Sequence, residues 1–101
     1  MAQLEVQSGE SLDYLVGDWR IFQLQRGHRF STDDLVTAWR ASKAVPEALR
    51  YLDLGCGIGS VGMSTLHHLP AEARLTGIEA QEVSVDLARR SVAYKIGRAH
   101  V

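Results

Sequence analysis

The stretch YLDLGCGIGSVG, residues 51–62, constrains this chain more than any other part of it. A short apolar run, LRYLDLG, leads into glycines at positions 55, 57, 59 and 62. A segment with helical spacing follows. The run predicts a strand with apolar side chains buried on both faces, as in a parallel sheet. Strand, glycine loop and helix in succession open an α/β unit. The loop can be read in two registers. From Gly57 it matches G-x-G-x-x-G, a loop that brings backbone N–H groups onto a diphosphate. From Asp53 it is an acidic residue followed by G-x-G-x-G, which suits a different ligand.

The remaining segments support the α/β reading. SLDYLVG offers Ser11 as a cap, Leu12 and Leu15 three apart, and Gly17 as a stop, which predicts a short helix. WRIFQLQR mixes aromatic and β-branched residues and predicts a strand. Ile21, Gln23 and Gln25 lie on one side of it, Phe22 and Leu24 on the other. GHRFS is a loop. TDDLVTAWRASKAV predicts a helix capped by Ser31 or Thr32, with Asp33 and Asp34 at its positive end. Leu35, Ala38, Trp39 and Ser42 form its stripe, and Pro46 ends it. Past the loop, SVGMSTLHHL predicts a helix closed by Pro70, and ARLTGIEA a second strand. QEVSVDLARRSVAY predicts a second helix with Val83, Leu87, Ala88 and Ser91 in register. This order begins a doubly wound domain with a right-handed crossover. Trp19 and Trp39 are expected as core anchors.

Charge separates the two loop registers. In an open sheet, ligands bind beyond the carboxyl ends of the strands, where Gly55 and Glu79 both lie. A carboxylate at 79 accepts hydrogen bonds from ribose hydroxyls in either register. A diphosphate register starting at Gly57 strands Gly55, and one starting at Gly55 puts Ser60 in the third glycine place. Asp53 would also repel a diphosphate. The same carboxylate suits a ligand with an ammonium and a sulfonium and no phosphate, which is S-adenosylmethionine. The glycines then allow close backbone approach, and Gly62 leaves room for helix-on-strand packing. A nucleotide-dependent oxidoreductase and a non-catalytic nucleotide-binding domain are the alternatives.

Through LDLGCGIGS and LTGIEAQ the chain resembles the class I S-adenosylmethionine-dependent methyltransferases. FQLQRGHRFSTDDLVTAW is similar to the element that precedes the Rossmann-like core in their small methyltransferase group. That group includes bacterial tRNA adenine-N6 methyltransferases acting next to the anticodon. The pattern falls on Gly27, Arg29, Phe30, Ser31, Asp33 and Leu35. The resemblance implies that Asp53 and the backbone at Gly55, Cys56, Gly57 and Gly59 hold the methionine part of the cofactor. Glu79 would hold the ribose, with Ala80 and Gln81 beside the adenine. Arg29, Phe30 and Asp33 would form a lid. The implied reaction is in-line transfer of the sulfonium methyl, in which positioning supplies much of the rate. The implied acceptor is an adenine N6 amine in tRNA, with rRNA, protein glutamine or a small molecule as alternatives. The group's substrate motif, Asn-Pro-Pro-Tyr or Phe, follows the fourth strand. It is absent here, where Pro46 and Pro70 stand alone, so no catalytic residue is assigned.

Three segments are expected. Residues 1–46 form an N-terminal extension and cofactor lid. Residues 47–94 start a Rossmann-like domain truncated after its second strand–helix unit, and 95–101 are a non-native tail. Ile96 to Val101 can be encoded by ATC GGA AGA GCA CAC GTC, the start of a widely used sequencing adapter, and Lys95 fits a junction with an Asn codon. Only two parallel core strands are then expected, with open edges. Such a fragment is marginal or aggregation-prone and has no methyltransferase activity.

Composition adds exclusions. A length of 101 residues suits one small domain. The start of the chain carries Glu5 and Glu10 and no basic segment, so it does not read as a signal peptide. No apolar run reaches the ~18 residues of a membrane helix. Cys56 is the only cysteine, which excludes an internal disulfide and suits a reduced, cytoplasmic setting. Without a partnering base it does not read as a nucleophile. His67 and His68 are adjacent and point ~100° apart on a helix, so no metal site is expected. His28 lies in a loop, within reach of RNA or cofactor. A net charge of −1 and a pI near 6.4 argue against a strongly basic nucleic-acid binder. Yet five Lys/Arg fall between Arg20 and Lys43, against Asp33 and Asp34. That stretch is either a solvated face or a local patch that meets an RNA partner.

Overall fold

Residues 10–24 form a β-hairpin. β1 (Glu10–Val16) and β2 (Trp19–Leu24) pair antiparallel, with Leu12 opposite Phe22 and Val16 opposite Trp19. The helix expected over SLDYLVG is therefore a strand. Gly17 and Asp18 make the turn, with Gly17 at φ +55 in the left-handed region that such turns need. A bulge between Tyr14 and Val16 turns Leu15 into the core, so the three-residue spacing of Leu12 and Leu15 imitated a helix. Ser11 caps nothing and donates instead to the Asp13 carboxylate at 2.6 Å.

The computed structural model describes residues 4–96 and 99–101. Residues 1–3 of the expected extension and 97–98 of the expected tail lie outside the described residues. After the hairpin come α1 (Thr32–Ala44), β3 (Arg50–Leu54), α2 (Ser60–His68), β4 (Arg74–Ile78) and α3 (Glu82–Ser91). A π-helical turn, Val92–Ile96, and a two-residue strand, β5 (Ala99–His100), follow. β3 and β4 are parallel, Asp53 opposite Gly77 and Leu54 opposite Ile78. β5 extends the sheet in parallel, Leu75 opposite Ala99, so three strands stand where two were expected.

The core lies between one face of the sheet, α2, α3 and the hairpin, and includes Ile21, Phe22, Ile58, Met63, Leu66, Leu75 and Leu87. Gly62 permits the close approach of α2. A Cβ there would sit 3.0 Å from an Asp53 carboxylate oxygen and 3.1 Å from Leu75. The opposite sheet face is open, contrary to the expectation of a strand buried on both faces. Leu52, Leu54 and Ile78 are 56%, 70% and 54% exposed. Apolar composition reports what a strand can bury, and no described element covers that face.

β2 is buried on both sides, and its one buried polar side chain is satisfied. Gln23 donates to Asp13 at 2.8 Å and accepts from the Phe30 N–H at 3.1 Å. The hairpin docks on α3. The Phe22 N–H donates to Ser91 Oγ at 2.8 Å, and buried Arg90 meets the Glu10 carboxylate through two 2.8 Å hydrogen bonds while stacking 4.5 Å from the Phe22 ring centroid. α1 packs on α2 through small residues, Ala38 and Ser42. Trp39 is therefore no core anchor: it lies outside that stripe. Trp19 does pack inward, edge-on to His67 at 4.9 Å. Val83 is also exposed rather than in the α3 stripe. Among the described residues no helix is long and apolar enough to cross a membrane.

Candidate functional site

The glycine loop is lashed to the end of β4: the N–H groups of Gly55 and Cys56 donate to the Ile78 carbonyl at 2.7 and 3.0 Å. Gly55, Gly57 and Gly59 all take φ between +58 and +92, where a Cβ costs roughly 1–2 kcal/mol. Beside Gly55 and Gly57 nothing lies within 4 Å of a Cβ position, so the outer side of the loop is open to an approaching ligand. Gly59 caps α2. The Cys56 sulfur packs over Gly77, where a Cβ would meet it at 2.9 Å. Burial, then the Asp53 and Glu79 charges, push this thiol up from its ordinary pKa. It stays protonated and is a poor nucleophile.

Glu79 follows β4 and completes a corner with the loop. One carboxylate oxygen accepts from the Gly57 N–H at 2.9 Å, the other from the Gln81 N–H at 2.9 Å. The Gln81 and Gly57 donors hold this carboxyl below the usual range. Each oxygen retains a second lone pair. The corner opens on a cleft of about 230 Å³ lined by Gly57, Ile58, Glu79 and Gln81, with Leu24 and His28 as the facing wall. Ala80 is exposed beside it.

The other expected residues divide. Asp53 is half-buried on β3 and does not line that cleft. Its carboxylate lies under α2 near Gly62, burial pushes its pKa up, and it has no hydrogen bond or ion pair among the described residues. Arg29 turns into the hairpin, donating to the Leu24 carbonyl at 2.7 Å and pairing with Asp13 at 3.2 Å. Phe30 is half-buried against the core. Asp33 is exposed in the first turn of α1. Its neighbour Asp34 makes the contact between α1 and the loop region, accepting from Ser60 Oγ at 2.8 Å and from the Ser31 N–H at 3.4 Å. The spacing Ser31-x-x-Asp34 is the capping-box signal that identifies it. Leu24 and Ile58 were hidden as cleft residues because any core pattern explains them.

The methyltransferase small domain family matches residues 30–101, more than half of the chain. No curated protein matches it. Among solved structures, it is similar to the Pyrococcus abyssi tRNA (uracil-54, C5)-methyltransferase in complex with S-adenosyl-L-homocysteine, at 18% identity and TM-score 0.70, covering 92% of this chain and 23% of that one. It is similar to an Agrobacterium tumefaciens SAM-dependent methyltransferase, at 16% identity and TM-score 0.65, covering 88% and 29%. It is also similar to the O-methyltransferase TomG of Streptomyces achromogenes, at 22% identity and TM-score 0.56, covering 77% and 36%. The chain thus spans about a quarter to about a third of the length of these structures, which share its Rossmann-like α/β fold. With a glycine loop leaving one parallel strand, a carboxylate ending the next, and a family match across both, the chain belongs to the methyltransferase small domain family.

Proposed function

We propose that this chain forms the cofactor-binding part of an S-adenosylmethionine-dependent methyltransferase acting on RNA, with an adenine N6 amine of tRNA as acceptor. The observation that carries the reading is the corner made by Glu79 and Gly57, 2.9 Å apart, beside an open glycine loop and a half-buried carboxylate, Asp53, that has no cation. Two carboxylates near the loop suit a cationic, phosphate-free nucleoside and oppose a diphosphate. When bound, S-adenosylmethionine supplies a sulfonium methyl group for displacement by a nucleophile.

The residues divide the work of holding that group. Glu79 accepts the ribose hydroxyls on its remaining lone pairs, and Ala80 and Gln81 flank the adenine. Gly55, Cys56, Gly57 and Gly59 present backbone without side-chain obstruction, and Asp53 answers positive charge on the methionine part. Phe30 and Asp33 belong to the lid, and Arg29 braces it through Leu24 and Asp13. Leu24 and His28 line the same cleft as the ribose corner. A reduced cytoplasm suits the single thiol. The RNA acceptor is supported by the resemblance of residues 22–39 to the tRNA-modifying group, and by a structural neighbour that is itself a tRNA methyltransferase.

Calorimetry tests the cofactor. S-adenosylhomocysteine is expected to bind and NAD not to. Glu79→Gln is expected to weaken binding by about tenfold, since a carboxylate accepts hydroxyl hydrogen bonds more strongly than an amide oxygen does. NAD binding, or full affinity in Glu79→Gln, sinks the reading. The acceptor is tested by sequencing the encoding gene in full: an Asn-Pro-Pro-Tyr or Phe motif in it supports an exocyclic amine, and its absence points to another acceptor.

A further inference from the structure

α1 has an outer face that its own fold does not use. Val36, Trp39, Arg40 and Lys43 follow the i, i+3, i+4, i+7 spacing of one helix face. Val36 is 56% exposed and Trp39 51%, while the helix packs on the protein through Ala38 and Ser42 on another side. An indole left half in water is surface that a partner can cover. The chemistry around it is cationic. Lys43 Nζ lies 5.9 Å from the Trp39 ring centroid. Arg40 and Lys43 line a shallow hollow of about 260 Å³, and neither has a hydrogen bond or ion pair among the described residues. Arg50, also exposed, follows on β3.

We infer that this face binds a single-stranded segment of RNA, with an unpaired base stacked on Trp39 and its flanking phosphates neutralised by Arg40 and Lys43. Stacking on an aromatic beside cations is how proteins grip unpaired nucleic acid irrespective of sequence. The position also fits. The Asp34–Ser60 hydrogen bond ties the start of α1 to the glycine-loop helix. Trp39 lies five residues further on, ~8 Å along the helix axis. A strand lying along α1 therefore leads toward the loop edge of the sheet. This inference rests on the RNA reading above and supplies its docking surface. A second copy of the chain, at net charge −1, or an apolar protein surface offers the two cations less negative charge than a phosphate backbone does.

The test is titration of the protein with an unstructured ten-nucleotide oligoadenylate, read by tryptophan fluorescence and by anisotropy of a labelled strand. Quenching is expected, because Trp39 is exposed while Trp19 is packed against His67. Trp39→Ala is expected to weaken binding about tenfold and Trp39→Phe much less. Arg40→Gln with Lys43→Gln is expected to reduce the slope of log affinity against log salt by about 1.4, the value for two phosphate contacts on a single strand. Unchanged affinity in Trp39→Ala, or an unchanged salt slope in the double variant, overturns the inference. So does sedimentation in which Trp39→Ala abolishes self-association, which assigns the face to a second copy. Should Trp39→Ala not fold, wild-type quenching and the salt slope decide. Calorimetry with S-adenosylhomocysteine on the same samples separates the two levels. Cofactor binding without oligonucleotide binding overturns the surface alone, and the reverse overturns the cofactor reading alone.

Discussion

Asp53 carries a charge that the fold does not answer. Its carboxyl is half-buried, without a partner among the described residues, and its pKa is raised by burial. A carboxyl whose folded pKa lies above its unfolded value contributes stability only at low pH, and that contribution is lost as pH rises through the folded pKa. At neutral pH the ionised Asp53 therefore weighs against the ligand-free protein. Asp53→Asn is expected to raise the melting temperature of the ligand-free protein while weakening S-adenosylmethionine binding about 10- to 100-fold, the loss of one charge-assisted contact. Thermal melts with and without cofactor check both signs. A variant that melts lower and binds equally well assigns Asp53 to packing alone. Comparison of S-adenosylmethionine with S-adenosylhomocysteine locates the contact. A loss confined to the sulfonium compound puts Asp53 against sulfur, and an equal loss puts it against the shared ammonium.

The hairpin and the loop after it close the cleft, through Leu24 and His28, and the buried Glu10–Arg90 ion pair joins the Phe22–Ser91 hydrogen bond in holding the hairpin to α3. Breaking such a pair by removing one charge leaves the other buried, at ~3–5 kcal/mol. Glu10→Gln is therefore expected to lower the unfolding free energy from urea titration by that much and to loosen cofactor binding with it. Hydrogen bonds from Arg90 hold the Glu10 carboxyl below its ordinary value. Its stabilisation is present above about pH 4.3, the unfolded value, and is lost as pH falls through the lower folded one. Urea midpoints measured from pH 6 down to pH 3 should fall in the wild type, with this part of the slope missing in Glu10→Gln. Equal slopes would remove the clamp from the account. This element was the least legible in the sequence. Gly17-Asp18 between two apolar runs is a hairpin signal, but Leu12 and Leu15 at helical spacing competed with it, and a bulge that only tertiary packing selects decided the matter. The Arg90 partner could not be read at all, because it lies 80 positions from Glu10. The strand–loop–helix from Arg50 to His68 was legible, because its glycines have a local conformational cause. Arg29 was legible as part of the GHRFS loop and was expected in a lid, but its side chain turns back onto the hairpin and donates to the Leu24 carbonyl.

At the scale of the whole molecule, the chain is compact and yet unfinished on one side. Its radius of gyration is 12.5 Å, close to the ~13 Å of a folded domain of this length. The described elements bury one face of the sheet. The other face presents Leu52, Leu54 and Ile78, with Leu54 and Ile78 side by side in register. Neighbouring exposed apolar residues on parallel strands form a patch that water penalises in proportion to its area, and two copies can hide it from each other. The protein is accordingly expected to self-associate with rising concentration through this face. Leu54→Lys with Ile78→Lys should suppress that association without lowering the melting temperature by more than a few degrees, since both side chains are already in water. Sedimentation velocity across a concentration series reads the first effect and calorimetric melting the second. A wild type that stays monomeric throughout, or a double lysine variant that still associates, would show that this face is not the contact. Persistence of the association in the lysine variant and its loss in Trp39→Ala would move the contact to α1, and with it overturn the RNA surface assigned there.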